Sequence, residues 1–358
     1  MSIQVAVLYG GKSTEHEVSV HSAQTVCRVL ASQPEKYQVY PIFISKEGFW
    51  FLQKSCGFLT LQDLPVTPII APEANIKALD GSFALKADVF FPVVHGSNGE
   101  DGTLQGLLET LNVPYVGCGV FSSACGMDKE TTKLLAAKAG VPVLPYRLIS
   151  QAENYDKQAL EKWVLETGFP VFVKPVRLGS SVGVTQVKSL DGLHQAVAYA
   201  LQFDTDAMVE KGIPHAREVF CAVLGEGKNL QISACGELRQ IAGEFFDYNA
   251  KYVVQGGCET KVPADIDAQT AAKMQQDTKI IFNVLHGSGF ARVDFLMDVA
   301  GNYFFSEINT IPGMSETSLL PQLFEASGEK YPQVLDRLIG LAQQAYERKG
   351  KLSFSRSV

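Results

Sequence analysis

The stretch ARVDFLMDVAGNYFFSEIN, residues 291–309, constrains this chain more than any other. It reads as two strands around a glycine turn. If the turn is symmetric about Ala300-Gly301, residues whose numbers sum to 601 face each other. Asp294 then lies opposite Glu307, and Arg292 opposite Asn309. The two-residue period of a strand puts these four side chains on one face, with Val293 and Ile308 on the other. Carboxylates directly opposite in a sheet repel. A sequence tolerates that when a cation sits between them, and two carboxylates with an amide oxygen are hard ligands suited to Mg²⁺, with phosphate completing the shell. The alternative is a solvent-facing sheet with its charges in water. The flanking Phe295, Leu296, Phe304 and Phe305 favour a buried hairpin. A one-residue bulge would spoil the register.

The rest of the chain alternates strands and helices, an α/β pattern. Val5–Leu8 is a buried strand, and Thr14 with Glu17 fits a capping box for a helix running to about Leu30. Tyr37–Ile44 and Asp88–Val94 are further strands. Leu104, Leu107, Leu108 and Leu111 form one apolar helical stripe. A loop or strand passes through Val116, and Asp128 caps a helix that stops at Gly140. AMVEKGI and REVFCAVLG are strands. A last helix has Leu335, Leu338, Ile339, Ala342 and Tyr346 on one face.

With 358 residues the chain has room for two or three domains. Its net charge of −7 argues against a sequence-independent nucleic-acid binder. No run of apolar residues is long enough to span a membrane, and MSIQVAVLYGG does not read as a signal peptide. Seven cysteines without a C-x-x-C point to reduced thiols in a cytosol, with no zinc or disulfide framework.

Near the N-terminus, Gly11-Lys12-Ser13 matches the end of a P-loop. The first glycine of that motif would fall at Ala6, inside a strand, so the match is read as a turn. A better phosphate loop is Arg177-Leu178-Gly179-Ser180-Ser181-Val182-Gly183, between two strands and just after Lys174. Its small residues let backbone N–H groups approach phosphate oxygens. With the acidic hairpin it implies a nucleoside triphosphate between the two. Residues 243–262 lack periodicity but hold Phe245, Phe246, Tyr248, Tyr252 and Lys251, the composition of a lid loop. In HGSNGEDGTLQG, residues 95–106, His95 stands at a strand's carboxyl end, where α/β sheets bind ligands. Glu100 and Asp101 need no role beyond helix N-terminal charge.

GGKSTEHEVS, HGSNGEDGTLQG, MDKETTK, VFVKPVRLGSSVGV, VEKGI with REV, DYNAKY, ARVD and EINTIPGMSETSLLP occur in this order. Together they resemble the D-alanine–D-alanine ligases of the ATP-grasp superfamily over essentially the whole chain. The resemblance implies an α/β (α+β overall) protein with a three-domain ATP-grasp fold. Residues 1–117 would form a Rossmann-like substrate domain, 118–210 a central subdomain with the glycine-rich loop, and 211–358 a domain with metal site and lid. It implies that Glu15 holds the first D-alanine's ammonium, linked to Ser180 and Tyr252, and that His95 faces its carboxylate. Lys129 and Lys174 would contact ATP phosphates, Lys251 the γ-phosphate, Glu210 the adenine and Glu218 the ribose, with Ser181 and Lys211 also binding the nucleotide. Asp294, Glu307 and Asn309 would hold two Mg²⁺, or Mn²⁺. Arg292 and the Gly313 N–H would stabilise an oxyanion, and Ser318 and Leu319 would bind the second D-alanine's carboxylate. A cytoplasmic homodimer making peptidoglycan precursor is implied, with no nucleic-acid or membrane partner. Tyr252 favours D-alanine as second substrate; the alternative is a related ligase using D-lactate or D-serine. A dehydrogenase lacks its dinucleotide fingerprint here, and a non-enzymatic amino-acid binder would need neither the lysines nor Asp294 and Glu307.

Overall fold

A computed structural model describes residues 2–150, 155–240, 258–353 and 355. The first sheet has seven strands: β1 (Ile3–Gly10), β2 (Tyr37–Ile44), β3 (Trp50–Leu52), β4 (Leu64–Pro68), β5 (Ile76–Ala78), β6 (Ala84–Leu85) and β7 (Val89–Pro92). β1 lies parallel between β2 and β7. Val5, Ala6, Val7 and Leu8 are wholly buried, as a parallel strand covered on both faces requires. Helix α1 (His16–Ala31) packs Val20, Ala23, Val26 and Leu30 on this sheet. β3 to β6 form an antiparallel extension beyond β2. These strands have two to five residues each, too short for a periodic signal, so the expectation of a third strand at 88–94 met the seventh instead.

The capping box does not form. Helix α1 begins at His16 with Glu15 at the cap position and no side-chain cap, and Glu17 pairs with Lys46. The turn is set by Gly10, whose φ is +89°, and where a Cβ would lie 2.3 Å from the Ile44 carbonyl oxygen. Lys12 is exposed beside it. The cysteine expectation also needs correction, since Cys27 of α1 and Cys56 are joined as a disulfide. Their separation of 29 residues follows no motif.

Helices α2 (Thr103–Thr110), α3 (Val120–Met127) and α4 (Lys129–Lys138) lead out of the first sheet. The Asp128 side chain accepts the Thr131 N–H at 2.8 Å, the expected cap. Then come β8 (Tyr146–Ser150), α5 (Lys157–Thr167), β9 (Val171–Pro175), β10 (Thr185–Val187), α6 (Leu193–Ala200) and β11 (Asp206–Lys211). Their four strands make an antiparallel sheet in the order β10-β9-β11-β8, backed by α5 and α6.

A third sheet, in the order β15-β14-β12-β16-β17, combines β12 (Arg217–Glu226), β13 (Asn229–Ile232, paired to β12), β14 (Gly236–Gln240), β15 (Cys258–Lys261), β16 (Ser288–Met297) and β17 (Tyr303–Asn309). Helix α7 (Ala268–Val284) covers one face through Met274, Ile281 and Phe282. On the other side α8 (Leu319–Glu325) and α9 (Tyr331–Gly350) join a core shared with β1, β7 and α1. The end of the expected lid is not a loop: residues 258–261 are β15, antiparallel to β14.

Candidate active site

The three sheets meet around a cleft of about 1530 Å³. Every candidate site residue within the described chain lines it: Glu15, His95, Lys129, Lys174, Ser180, Ser181, Glu210, Lys211, Glu218, Arg292, Asp294, Glu307, Asn309, Gly313, Ser318 and Leu319. Tyr252 and Lys251 lie outside the described residues, as does most of the expected lid.

The hairpin has the register expected at its functional end, by a different route. Arg292 pairs with Asn309, Val293 with Ile308 and Asp294 with Glu307. Nearer the turn, Phe295 pairs with Phe305 and Met297 with Tyr303, so those numbers sum to 600. The turn is one residue off the assumed symmetry, and a bulge at Ser306 makes up the difference. Bulges of this kind recur next to active sites. Val293 and Ile308 point into the core under α7, leaving the polar four on the cleft. Arg292 donates to both Asp294 carboxylate oxygens, Nε and Nη2 each at 2.7 Å, and its guanidinium stacks 5.3 Å from the Phe220 ring. Asn309 Nδ2 donates to Asp294 Oδ2 at 3.1 Å, which leaves its amide oxygen as the ligand atom. Burial pushes the Asp294 carboxyl up despite Arg292, and the Glu307 charge adds to the push. Two crowded carboxylates and an amide oxygen are a donor set that a hard divalent cation relieves.

Glu15 reaches the cleft from the start of α1. Ser180 Oγ donates to its carboxylate across the interface between the first and second sheets. Ser180 and Ser181 both have left-handed backbones, with φ of 52° and 57°. Non-glycine residues held there cluster at ligand-binding segments. A Cβ on Gly96 would sit 2.5 Å from Glu15 Oε2, so the first sheet's loop approaches this carboxylate as only glycine allows. Burial raises the Glu15 pKa, a bias that a bound cation would reverse.

The lysines are held by acids. Lys129 Nζ lies 3.1 Å from Glu307 Oε2 and donates to the Leu178 carbonyl at 2.5 Å. Lys174 Nζ donates to Glu210 Oε2 at 2.6 Å, and Lys133 Nζ lies 2.5 Å from Glu210 Oε1. Burial alone would raise the Glu210 carboxyl, but Lys133 and Lys174 hold it below its ordinary value. Its side chain is therefore engaged within the protein, as is that of Lys211, which donates to the Gly168 carbonyl at 2.8 Å.

His95 is buried, and both ring nitrogens are taken. Nδ1 donates to the Ile311 carbonyl at 2.7 Å, which assigns Nε2 as acceptor of the Ser22 hydroxyl at 2.9 Å. Burial brings its pKa down to about 4, so it is a neutral imidazole at neutral pH. Glu100 is no helix charge. It is 9% exposed, and its two oxygens accept the N–H groups of Gly96 at 2.9 Å and Ile311 at 2.6 Å. Burial, and then Glu15, lift its pKa to about 8. Ser318 Oγ accepts the Ser315 N–H at 3.0 Å just before α8.

Sequence reading missed Ser22, Glu100 and Lys133. The only signal was position: Ser22 is a polar residue in the apolar stripe of α1, and Lys133 stands one turn after Lys129.

Two family models match the chain: "D-ala D-ala ligase N-terminus" over residues 4–118 and "D-ala D-ala ligase C-terminus" over residues 135–340. A "D-alanine--D-alanine ligase A" from Bradyrhizobium diazoefficiens is 41% identical over 98% of this chain and 97% of the relative. A solved structure of the D-alanine-D-alanine ligase from Coxiella burnetii superposes with a TM-score of 0.86 at 35% identity, covering 98% of this chain and 96% of that one. The VanG D-Ala:D-Ser ligase from Enterococcus faecalis superposes with a TM-score of 0.83 at 35% identity, covering 96% and 100%.

Proposed function

The chain belongs to the D-alanine–D-alanine ligase family, and on that premise we propose that it joins two D-alanine molecules, consuming ATP, to supply peptidoglycan synthesis. Its fold is the ATP-grasp fold of that family. The observation that carries the reading is the convergence of Glu15 with Ser180, Lys129 with Lys174, and Arg292 with Asp294 and Glu307 on one cleft.

In the first step a carboxylate oxygen of the first D-alanine attacks the γ-phosphorus of ATP. The new O–P bond forms as the bond to the β-phosphate oxygen breaks, leaving an acyl phosphate and ADP. Glu15, whose burial disfavours its charge until a cation arrives, takes the substrate ammonium. Lys129, Lys174 and the Ser180-Ser181 backbone face the phosphates, and the γ-phosphate is assigned to Lys251. Such transfer depends on position and charge neutralisation more than on covalent help. Asp294, Glu307 and Asn309 would hold Mg²⁺, whose charge would offset that of the phosphates. Glu218 is assigned to the ribose.

In the second step the amine of the second D-alanine attacks the acyl carbon. A C–N bond forms, phosphate leaves, and the amine proton departs with it. Arg292, which never loses its charge, and the Gly313 N–H are the oxyanion donors. Ser318 and Leu319 take the second carboxylate. His95 acts as a neutral imidazole that shapes the pocket near the first carboxylate. Tyr252 is assigned with Glu15 and Ser180 to the first D-alanine, and the acyl phosphate must be kept from water. The reading divides the chain at residues 117 and 210 and places it in the cytoplasm as a homodimer.

The test is phosphate release from Mg-ATP with D-alanine alone, then with D-lactate, D-serine or L-alanine added. D-alanine alone should support full turnover. No release with D-alanine overturns the reading, and a requirement for D-serine moves the protein to the alternative.

A further inference from the structure

The loop after β17 carries Gly313, the oxyanion donor of the ligase reading, on which this inference rests. Among the described residues, none accepts a hydrogen bond from the Gly313 N–H. The peptide bearing that N–H joins Pro312 to Gly313. On one side of it, Ile311 is anchored twice by the first domain: its N–H to Glu100 at 2.6 Å and its carbonyl to His95 Nδ1 at 2.7 Å. On the other side, Met314 is anchored twice as well. Its N–H donates to Ser22 Oγ at 3.1 Å, and its carbonyl accepts the Tyr331 hydroxyl at 2.9 Å.

We propose that Ser22 is a positioning residue for the second half-reaction: its buried hydroxyl, bridging the Met314 N–H to His95, fixes the peptide that aims the Gly313 N–H at the reacting carbonyl. Ser22 is wholly buried on α1, so no solvent can replace it. Its single hydroxyl accepts from Met314 and donates to His95, and so one atom ties the loop after β17 to the imidazole. Without it a buried N–H loses its acceptor, which a packed site relieves only by moving the backbone. A donor displaced by about 1 Å forfeits catalysis on the order of 100-fold. The lysines assigned to the phosphates stand on α4 and β9, and His95 keeps its Nδ1 bond to the Ile311 carbonyl without Ser22, so the first step keeps its machinery.

The experiment is rapid quench of the full-length protein with Mg-ATP and D-alanine, reading ADP and dipeptide separately, with acyl phosphate trapped by hydroxylamine. For Ser22→Ala the expected result is ADP formation and ATP KM within about twofold of wild type and dipeptide formation slowed roughly tenfold or more, with hydroxamate accumulating. Tyr331→Phe, which removes the anchor on the Met314 carbonyl, should slow the same step. It decides the matter if Ser22→Ala does not fold. Equal slowing of both steps, or unchanged dipeptide formation, overturns the proposal. Wild-type protein that makes no ADP with D-alanine overturns the ligase reading, and this inference with it.

Discussion

Glu15 shows how a single side chain acquires a role from its surroundings. It caps α1 without making a cap bond, is buried against Ser180, and stands beside a glycine whose Cβ would collide with it. Glu15→Gln keeps an acceptor for Ser180 but removes the charge that a substrate ammonium needs. The expected outcome is a D-alanine KM raised about tenfold or more, the loss of one charge-assisted hydrogen bond, with ADP binding by calorimetry nearly unchanged. Lost ADP binding would instead return the nucleotide to the Gly11-Lys12-Ser13 turn. His95 makes a pH prediction. Its folded pKa is about 4 against an ordinary 6.5, so the folded state resists protonation. Stability from this group is complete above pH 6.5 and is lost as pH falls toward 4, about 3 kcal/mol in all. Glu100 has the opposite sign: its raised pKa of about 8 means that stability is lost as pH rises from 4.5 through 8. The two overlap, so the informative quantity is the difference between wild type and His95→Gln in urea unfolding across pH 4 to 7. A difference that does not change with pH would refute the buried neutral imidazole.

At the scale of elements, α4 ties the second and third sheets together through its lysines. Lys133 is wholly buried, lies 2.5 Å from Glu210 Oε1 on β11, and donates to the Phe305 carbonyl of β17 at 3.2 Å. That carbonyl immediately precedes the Ser306 bulge, so one ammonium steadies both the Glu210–Lys174 pair and the strand carrying Glu307. Lys133→Met is expected to cost about 3–5 kcal/mol, the range for breaking a buried ion pair. Adding Glu210→Gln should recover none of it, because Glu210 keeps Lys174 at 2.6 Å in the single variant and the second change takes that lysine's acid away. Urea midpoints of the two variants check this; a Lys133→Met protein as stable as wild type would show that the cluster is not coupled.

Across the whole molecule, the last helix joins the first and last parts of the chain. Leu335, Leu338 and Ile339 of α9 are buried in one core with Val5 and Val7 of β1, Val89 and Phe91 of β7, and Phe220 of β12. The first and third of the sheets that form the cleft are therefore not independent. Leu338→Ala should cost about 2–5 kcal/mol by leaving a cavity in that shared core. Amide exchange should then quicken in β1 and β12 alike. Quickening confined to β12 would mean that the first sheet does not depend on the helix.

The strands Val5–Leu8 and Tyr37–Ile44, the Asp128 cap, the glycine-serine loop between β9 and β10, and the Asp294–Glu307 face were legible in the sequence. Each is written locally, in a period of two or 3.6, a cap residue or a turn. The hairpin register was legible only because two local departures cancelled, a shifted turn and the bulge at Ser306. What the sequence did not carry is which distant groups share a buried site. Glu100 meets Ile311 across 211 positions and Ser22 meets Met314 across 292, and no spacing rule connects them. Glu100 and Lys133 have the composition of surface residues, and only packing decided that they are buried and paired. The short strands β3 to β6 likewise exist by pairing with a neighbour rather than by any periodicity of their own. The sequence thus determined the elements and the chemistry each one brings. The tertiary structure decided which acid answers which base, because burial and partner choice depend on contacts between elements that no local pattern encodes.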